Sequence, residues 1–128
     1  MSKSLHVLII DDSPAEVVRF ESILHANDFV TTAVNTGEEG IEVAARLKPD
    51  IILMDVVMGG MNGFQATRKI TSQEATQHIP IIMVTTKDQT TDRVWAQRQG
   101  AKGYLTKPVD EDLLLSTISE LLDLKKDS

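Results

Sequence analysis

The sequence predicts an α/β fold: one doubly wound parallel sheet of five β–α units, (βα)5. Three observations lead there. Short apolar runs alternate with helix-like stretches from end to end, and such alternation packs as a parallel sheet with helices on both faces, joined by right-handed crossovers. Residues 51–54, Ile-Ile-Leu-Met, carry no polar side chain, as a strand covered on both faces requires. The chain has 128 residues, one domain's worth and enough to bury a substantial core.

Each element has its own signal. Residues 5–10 form an apolar run that stops at Asp11-Asp12. Ser13 then predicts an N-cap, with Pro14 as the first helical residue and Glu16 closing a capping box. Val17, Phe20 and Leu24 mark one face of that helix. Residues 29–34 predict a second strand. Thr36 and Glu39 predict another capping box, opening a helix that runs through Leu47 and stops at Lys48-Pro49. After the third strand, residues 55–63 predict a glycine-containing loop, and a helix follows from Gly63 to about Gln73. Pro80 precedes a fourth strand at 81–84. Asp88 is the expected cap of a helix reaching Gln99 and ended by Gly100. A short fifth strand spans 103–106. Asp110 caps a last helix whose buried stripe is Leu114, Ile118, Leu121 and Leu122. The expected organisation is a single domain over 1–128, with 125–128 a polar tail.

Composition narrows the function. There is no cysteine, which excludes disulfides, thiolate metal sites and cysteine nucleophiles. The net charge of −6 argues against a nucleic-acid or anionic-membrane partner and suits a cation or a basic one. No apolar run approaches a membrane span, and residues 1–5 lack the apolar core of a signal peptide. The expectation is a cytoplasmic protein with no membrane insertion.

In open parallel sheets the ligand site lies outside the carboxyl ends of the strands. Those ends carry Asp11-Asp12, Asp55, Thr85-Thr86 and Lys107-Pro108. Crowded carboxylates repel unless something offsets their charge. A hard divalent cation such as Mg²⁺ does so through oxygen ligands. Lys107 and Thr85 suit the oxygens of a phosphoryl group, as a point charge and a hydrogen-bonding hydroxyl. The combination points to phosphoryl transfer onto or from a carboxylate.

The set Asp11-Asp12-Ser13, Leu53-Met54-Asp55-Val56-Val57-Met58, Gly63, Thr85 and Tyr104-Leu105-Thr106-Lys107-Pro108 resembles the CheY-like response-regulator receiver family over essentially the whole chain. The resemblance implies a flavodoxin-like sheet of order 2-1-3-4-5 and a cis bond at Lys107-Pro108. It implies Asp55 as phosphoacceptor, and Mg²⁺ held by Asp11, Asp12, Asp55 and the backbone carbonyl of Val57. It further implies Lys107 and Thr85 on the phosphoryl group, and Thr85 with Tyr104 as the conformational switch. The stretches 62–68, 84–89 and 103–111, together with Trp95, are similar to the stand-alone PilH-type receivers of type IV pilus systems. That similarity implies control of twitching motility, a CheA-like sensor histidine kinase as phosphodonor, and a downstream protein bound through the helix 4/strand 5/helix 5 face. With no output domain expected after Ser128, the effect would pass through a separate protein, association or competition for phosphate.

Other readings stand beside these. Asp11-Asp12 alone would serve as a capped loop, Thr85 as a plain β-branched strand residue, Tyr104 and Trp95 as core aromatics, Trp95 half-buried. The methionines at 54, 58, 61 and 83 are expected to fill the core or flank the site. A flagellar-motor regulator or a phosphate sink shares the same chemistry. A Mg²⁺-dependent phosphatase with an aspartyl nucleophile would need a second acid two residues after it, where Val57 stands. The family usually has proline four residues after the phosphoacceptor. Here Gly59-Gly60 replaces it, so a more mobile loop is expected beside Asp55. Thr86 and Lys87 are expected to govern water access.

Overall fold

The computed structural model describes residues 4–123; the tail at 125–128 lies outside them. The chain runs β1 (His6–Ile10), α1 (Pro14–Ala26), β2 (Val30–Val34), α2 (Gly37–Leu47), β3 (Ile51–Met54), α3 (Gly63–Ser72), β4 (Ile81–Thr85), α4 (Thr90–Arg98), β5 (Gly103–Thr106) and α5 (Glu111–Leu121). All neighbouring strands are parallel, in the order β2-β1-β3-β4-β5. The five-stranded, doubly wound sheet expected from the sequence is therefore present.

Strand alternation divides the core between the two faces. Val7, Ile9, Ile51, Leu53, Ile82, Val84 and Leu105 meet Phe20, Ile23 and Leu24 of α1 and Leu114 and Ile118 of α5. Leu8, Ile10, Ile52, Met54, Ile81 and Met83 meet α2, α3 and α4 through Val43, Ala66, Ile70 and Ala96. Truncating Phe20 to alanine would cost about 3–5 kcal/mol. The central strand β3 is enclosed on both sides. The edge strand β2, by contrast, leaves Val30 exposed.

Several local expectations need correction. Ser13 caps α1, its hydroxyl accepting from the Glu16 N–H at 3.4 Å. The return half of the box fails because Asp11 Oδ1 already accepts the Ser13 N–H at 2.9 Å. At α2 the Thr36 hydroxyl accepts from Glu39 N–H at 3.1 Å, but Glu39 lines a cleft with Asp12 and Val18 and does not reciprocate among the described residues. The full capping box belongs to α3, where Asn62 and Gln65 exchange bonds of 2.9 and 3.0 Å. In α4 the cap is Gln89 and not Asp88, because Asp92 accepts the Gln89 N–H at 3.2 Å. Leu5, Phe29 and Gln73 fall just outside their elements, while β4 gains Thr85. Trp95 is 49% exposed and belongs to neither core cluster among the described residues; α4 turns Ala96 inward, and Gln99 at its C-cap is buried as well.

Candidate functional site

Parallel topology delivers every strand's carboxyl end to one edge, and the chemistry collects there. Asp11 follows β1 and Asp55 follows β3. Both are buried, whereas Asp12 lies exposed beside them. Carboxylate oxygens of Asp11, Asp12 and Asp55 lie within 4.8 Å of one another. Lys107, just past β5, places Nζ 2.8 Å from Asp11 Oδ2 and 3.5 Å from Asp55 Oδ2. Its own N–H donates to the Thr85 carbonyl at 2.8 Å, which ties β5 to β4 beside the site. The Lys107-Pro108 bond is cis.

Close packing fixes the loop after β3. Gly63 opens α3 and donates its N–H to the Val56 carbonyl at 2.9 Å. A Cβ on Gly63 would stand 2.0 Å from the Asp55 carbonyl oxygen, so only glycine lets the helix start this near the buried aspartate. The Val57 N–H donates to Asp55 Oδ1 at 3.3 Å. Gly60 takes a φ of +75°, which glycine adopts freely.

Burial pushes the Asp55 carboxyl up from its ordinary range, opposed by the Lys107 ammonium, reinforced by Asp11 and opposed by the Val57 N–H. Burial works against the charge on Lys107, yet its Asp11 hydrogen bond and the charges of Asp55, Asp11 and Glu16 outweigh it and raise its pKa. One ammonium thus faces several carboxylates. A donor set of hard oxygens with excess negative charge fits a hard divalent cation.

Thr85 is fully buried, and its hydroxyl accepts from the Lys87 N–H at 3.4 Å. The Tyr104 hydroxyl donates to the Lys87 carbonyl at 2.6 Å. Lys87 therefore touches both residues through its backbone, while its side chain and that of Thr86 are exposed. Val57, 55% exposed, occupies the place a phosphatase would give its second acid.

Sequence reasoning missed three participants. Glu16, expected to cap α1, keeps Oε1 enclosed without a hydrogen-bond partner among the described residues, and its charge acts on Lys107. Arg19 of α1 donates to the Val109 carbonyl at 2.5 Å, pinning the loop that carries Lys107. Arg93 stacks on Tyr104. None had a local signal for these roles, since each acts on residues more than ten positions away.

Residues 7–119 match the response regulator receiver domain family. The chain is 51% identical to Protein PilH of Pseudomonas aeruginosa over 116 residues, 91% of this chain and 96% of that protein. Its fold matches the receiver domain of a sensor histidine kinase from Pseudomonas aeruginosa, solved with a magnesium ion coordinated in the active site cleft. There the TM-score is 0.88 at 28% identity, covering 94% of this chain and 99% of the other. Chemotaxis protein CheY4 of Vibrio cholerae gives a TM-score of 0.88 at 28% identity, covering 94% and 100%. With an α/β sheet of order 2-1-3-4-5 and an acidic cluster at its carboxyl edge, the chain belongs to the response regulator receiver domain family.

Proposed function

We propose that Asp55 accepts a phosphoryl group from a phosphohistidine of a CheA-like sensor histidine kinase, and that the phosphorylated chain signals by changing shape. The observation that carries this reading is the buried Asp55 carboxylate at the end of β3, with Lys107 Nζ 3.5 Å from one of its oxygens. An Asp55 oxygen attacks phosphorus in line. The phosphorus–nitrogen bond breaks, its electron pair stays on the imidazole, and an acyl phosphate forms. Charge spreads over three equatorial oxygens as this happens. Lys107 neutralises part of it, and the Asp11 contact at 2.8 Å keeps the ammonium in place. Hydrolysis reverses the state: water attacks phosphorus, phosphate leaves and the carboxylate returns.

Asp11, Asp12, Asp55 and the Val57 carbonyl would hold Mg²⁺, which when bound supplies positive charge to the transferring oxygens. The acidic cluster supports this assignment, as does the magnesium bound by the related kinase receiver. Thr85 then hydrogen-bonds a phosphoryl oxygen. Because Lys87 links Thr85 to Tyr104, its movement reaches β5 and α4. The α4/β5/α5 face carries the output to a separate protein. The resemblance of residues 62–68, 84–89 and 103–111 to PilH-type receivers supports a role in twitching motility, and the 51% identity to Protein PilH agrees with that resemblance.

The test is incubation with radiolabelled, phosphorylated CheA-like kinase with and without Mg²⁺. Label should move to the wild-type chain only with the metal, and not to Asp55→Asn, whose circular dichroism stays native. Full-stoichiometry label on Asp55→Asn would overturn the assignment. Thr85→Ala should still take up label, while amide shifts along α4 no longer respond to it. Undiminished shifts would remove Thr85 from the switch.

A further inference from the structure

Arg93 is exposed on α4, where solvent alone would satisfy it. It is instead committed to β5 on two counts. Its Cζ lies 4.8 Å from the centroid of the Tyr104 ring, within reach of a cation–π attraction. Its Nη2 donates to Thr106 Oγ1 at 3.1 Å. Thr106 and Tyr104 are two apart on one strand, so both point to the same side of the sheet. Arg93 spans that pair and covers the ring between.

The far end of the same ring is fixed from the other direction, since the Tyr104 hydroxyl donates to the Lys87 carbonyl at 2.6 Å. Lys87 in turn donates its N–H to Thr85. A continuous run of contacts therefore leads from Thr85 at the site, through the Lys87 peptide, through the Tyr104 ring, to Arg93 on α4. Surface depressions flank the stack on both sides, one between α4 and β5 and one between β5 and α5, and Arg93 and Tyr104 line both. Charges of Asp92, Arg93 and Asp88 all act on the phenol. A neutral or shorter side chain at 93 would leave the ring held by its hydroxyl and its core packing, with no tie to α4 through residue 93.

We propose that Arg93 is a positioning residue of the switch: a latch that makes α4 follow Tyr104 when the β4–α4 loop moves. The inference rests on the phosphoacceptor reading above. A static buttress would add stability to α4 and nothing more. A latch transmits displacement, so removing it separates the event at Asp55 from the response of α4.

The experiment uses beryllofluoride with Mg²⁺ as the phosphoryl stand-in and two readouts. Fluorine NMR of the bound beryllofluoride reports the site. Emission of Trp95, the single tryptophan, two residues from Arg93 on α4, reports the helix. The wild-type chain should give both a bound fluorine signal and an emission change. Arg93→Ala should keep the fluorine binding midpoint within about twofold, while its emission change shrinks about two- to fivefold, the scale of a lost exposed cation–π contact. Arg93→Lys, which keeps the cation, should recover part of the amplitude, whereas Arg93→Gln should not. A full Trp95 response in Arg93→Ala would overturn the latch and leave the phosphoacceptor intact. So would a wild-type chain that binds beryllofluoride without any emission change. Equal losses in both readouts would mark Arg93 as merely structural. No bound fluorine signal in the wild-type chain would overturn the phosphoacceptor reading itself, and the latch with it.

Discussion

The two ends of the sheet are built from similar polar residues and treat them oppositely. At the amino end Asp50 Oδ2 accepts the His6 N–H at 2.7 Å, and the Asp50 N–H donates to the His6 carbonyl at 2.8 Å. His6 and His25 pair with the hydroxyls of Thr32 and Thr31, each at 2.8 Å. Asp50, His6 and His25 thus each have a local partner. At the carboxyl end Asp11, Asp55 and Glu16 share the Lys107 ammonium, Asp12 adds a further carboxylate beside them, and two of the four are buried. Nothing in folding demands that arrangement, because burying like charges costs stability. The amino end closes the sheet; the carboxyl end stores electrostatic work that a bound cation and a phosphoryl group can draw on.

The largest separation of the two ends should come from Gly63→Ala. The new methyl carbon would overlap the Asp55 carbonyl oxygen at 2.0 Å, and backbone on both sides must yield. Overpacking of this kind costs about 3 kcal/mol. Urea unfolding should record that loss, and Mg²⁺ affinity should fall as Asp55 is displaced. A variant with wild-type stability and metal affinity would show that the α3 start does not fix Asp55.

Next in size is a change of sign. Burial raises the folded pKa of Asp55 above its unfolded value. A carboxyl raised in this way favours folding below the unfolded pKa, and that contribution is lost as pH climbs through the folded value. In chelator at pH 7, Asp55→Asn should therefore unfold at a higher temperature than the wild type, and the gain should vanish as acid protonates Asp55. Adding Mg²⁺ should reverse the order, since a ligand stabilises the form that binds it. Thermal melts at several pH values with and without the metal check this. A variant less stable than wild type in chelator would mean that the Lys107 contact outweighs desolvation.

The amino end supplies the contrast. Asp50→Ala deletes the acceptor of the His6 N–H and should cost about 1.5–3 kcal/mol, the scale of a charged hydrogen bond. Phosphorylation kinetics should not change. A slowed transfer would mean that the two ends are coupled through β1 and β3, and the division drawn above would fail.

The sheet was legible because its signals are local. A run such as 51–54 has no reading except burial on both faces, and Ser13, Thr36 and Asp110 mark helix starts through bonds to residues three positions away. Grouping the site residues was legible for a topological reason, since parallel strands bring their carboxyl ends together whatever lies between. What the sequence did not disclose depends on competition between partners. Glu16 looked like half of a capping box until Asp11 took the Ser13 N–H. Asp88 looked like a cap until Asp92 reached back to Gln89. Trp95 read as a core aromatic, but α4 buries a narrow stripe around Ala96. Arg93 and Arg19 are long, flexible side chains whose targets lie 13 and 90 residues away, a separation at which no spacing rule applies.

The smallest expected effect concerns the Gly59-Gly60 loop, where the carboxyl end departs from its family's usual proline. A Cβ at Gly59 would meet no atom within 4 Å, so the site has room for a pyrrolidine ring. Met58 before it is buried and anchored to the core, while Gly60 after it holds a φ of +75°. A segment with the expected mobility would therefore begin at Gly59 and end within a few residues. Proline there would restrict the unfolded chain and the open loop while leaving the packed form intact, an effect of about 0.4–1 kcal/mol. Amide exchange at Met58, Gly60 and Met61 in Gly59→Pro should slow about two- to fivefold, with exchange at His6 and Asp50 unchanged. Equal rates in the two proteins would mean that the capping box of α3 already holds the loop rigid, and that the glycine pair serves close approach of a partner instead of motion.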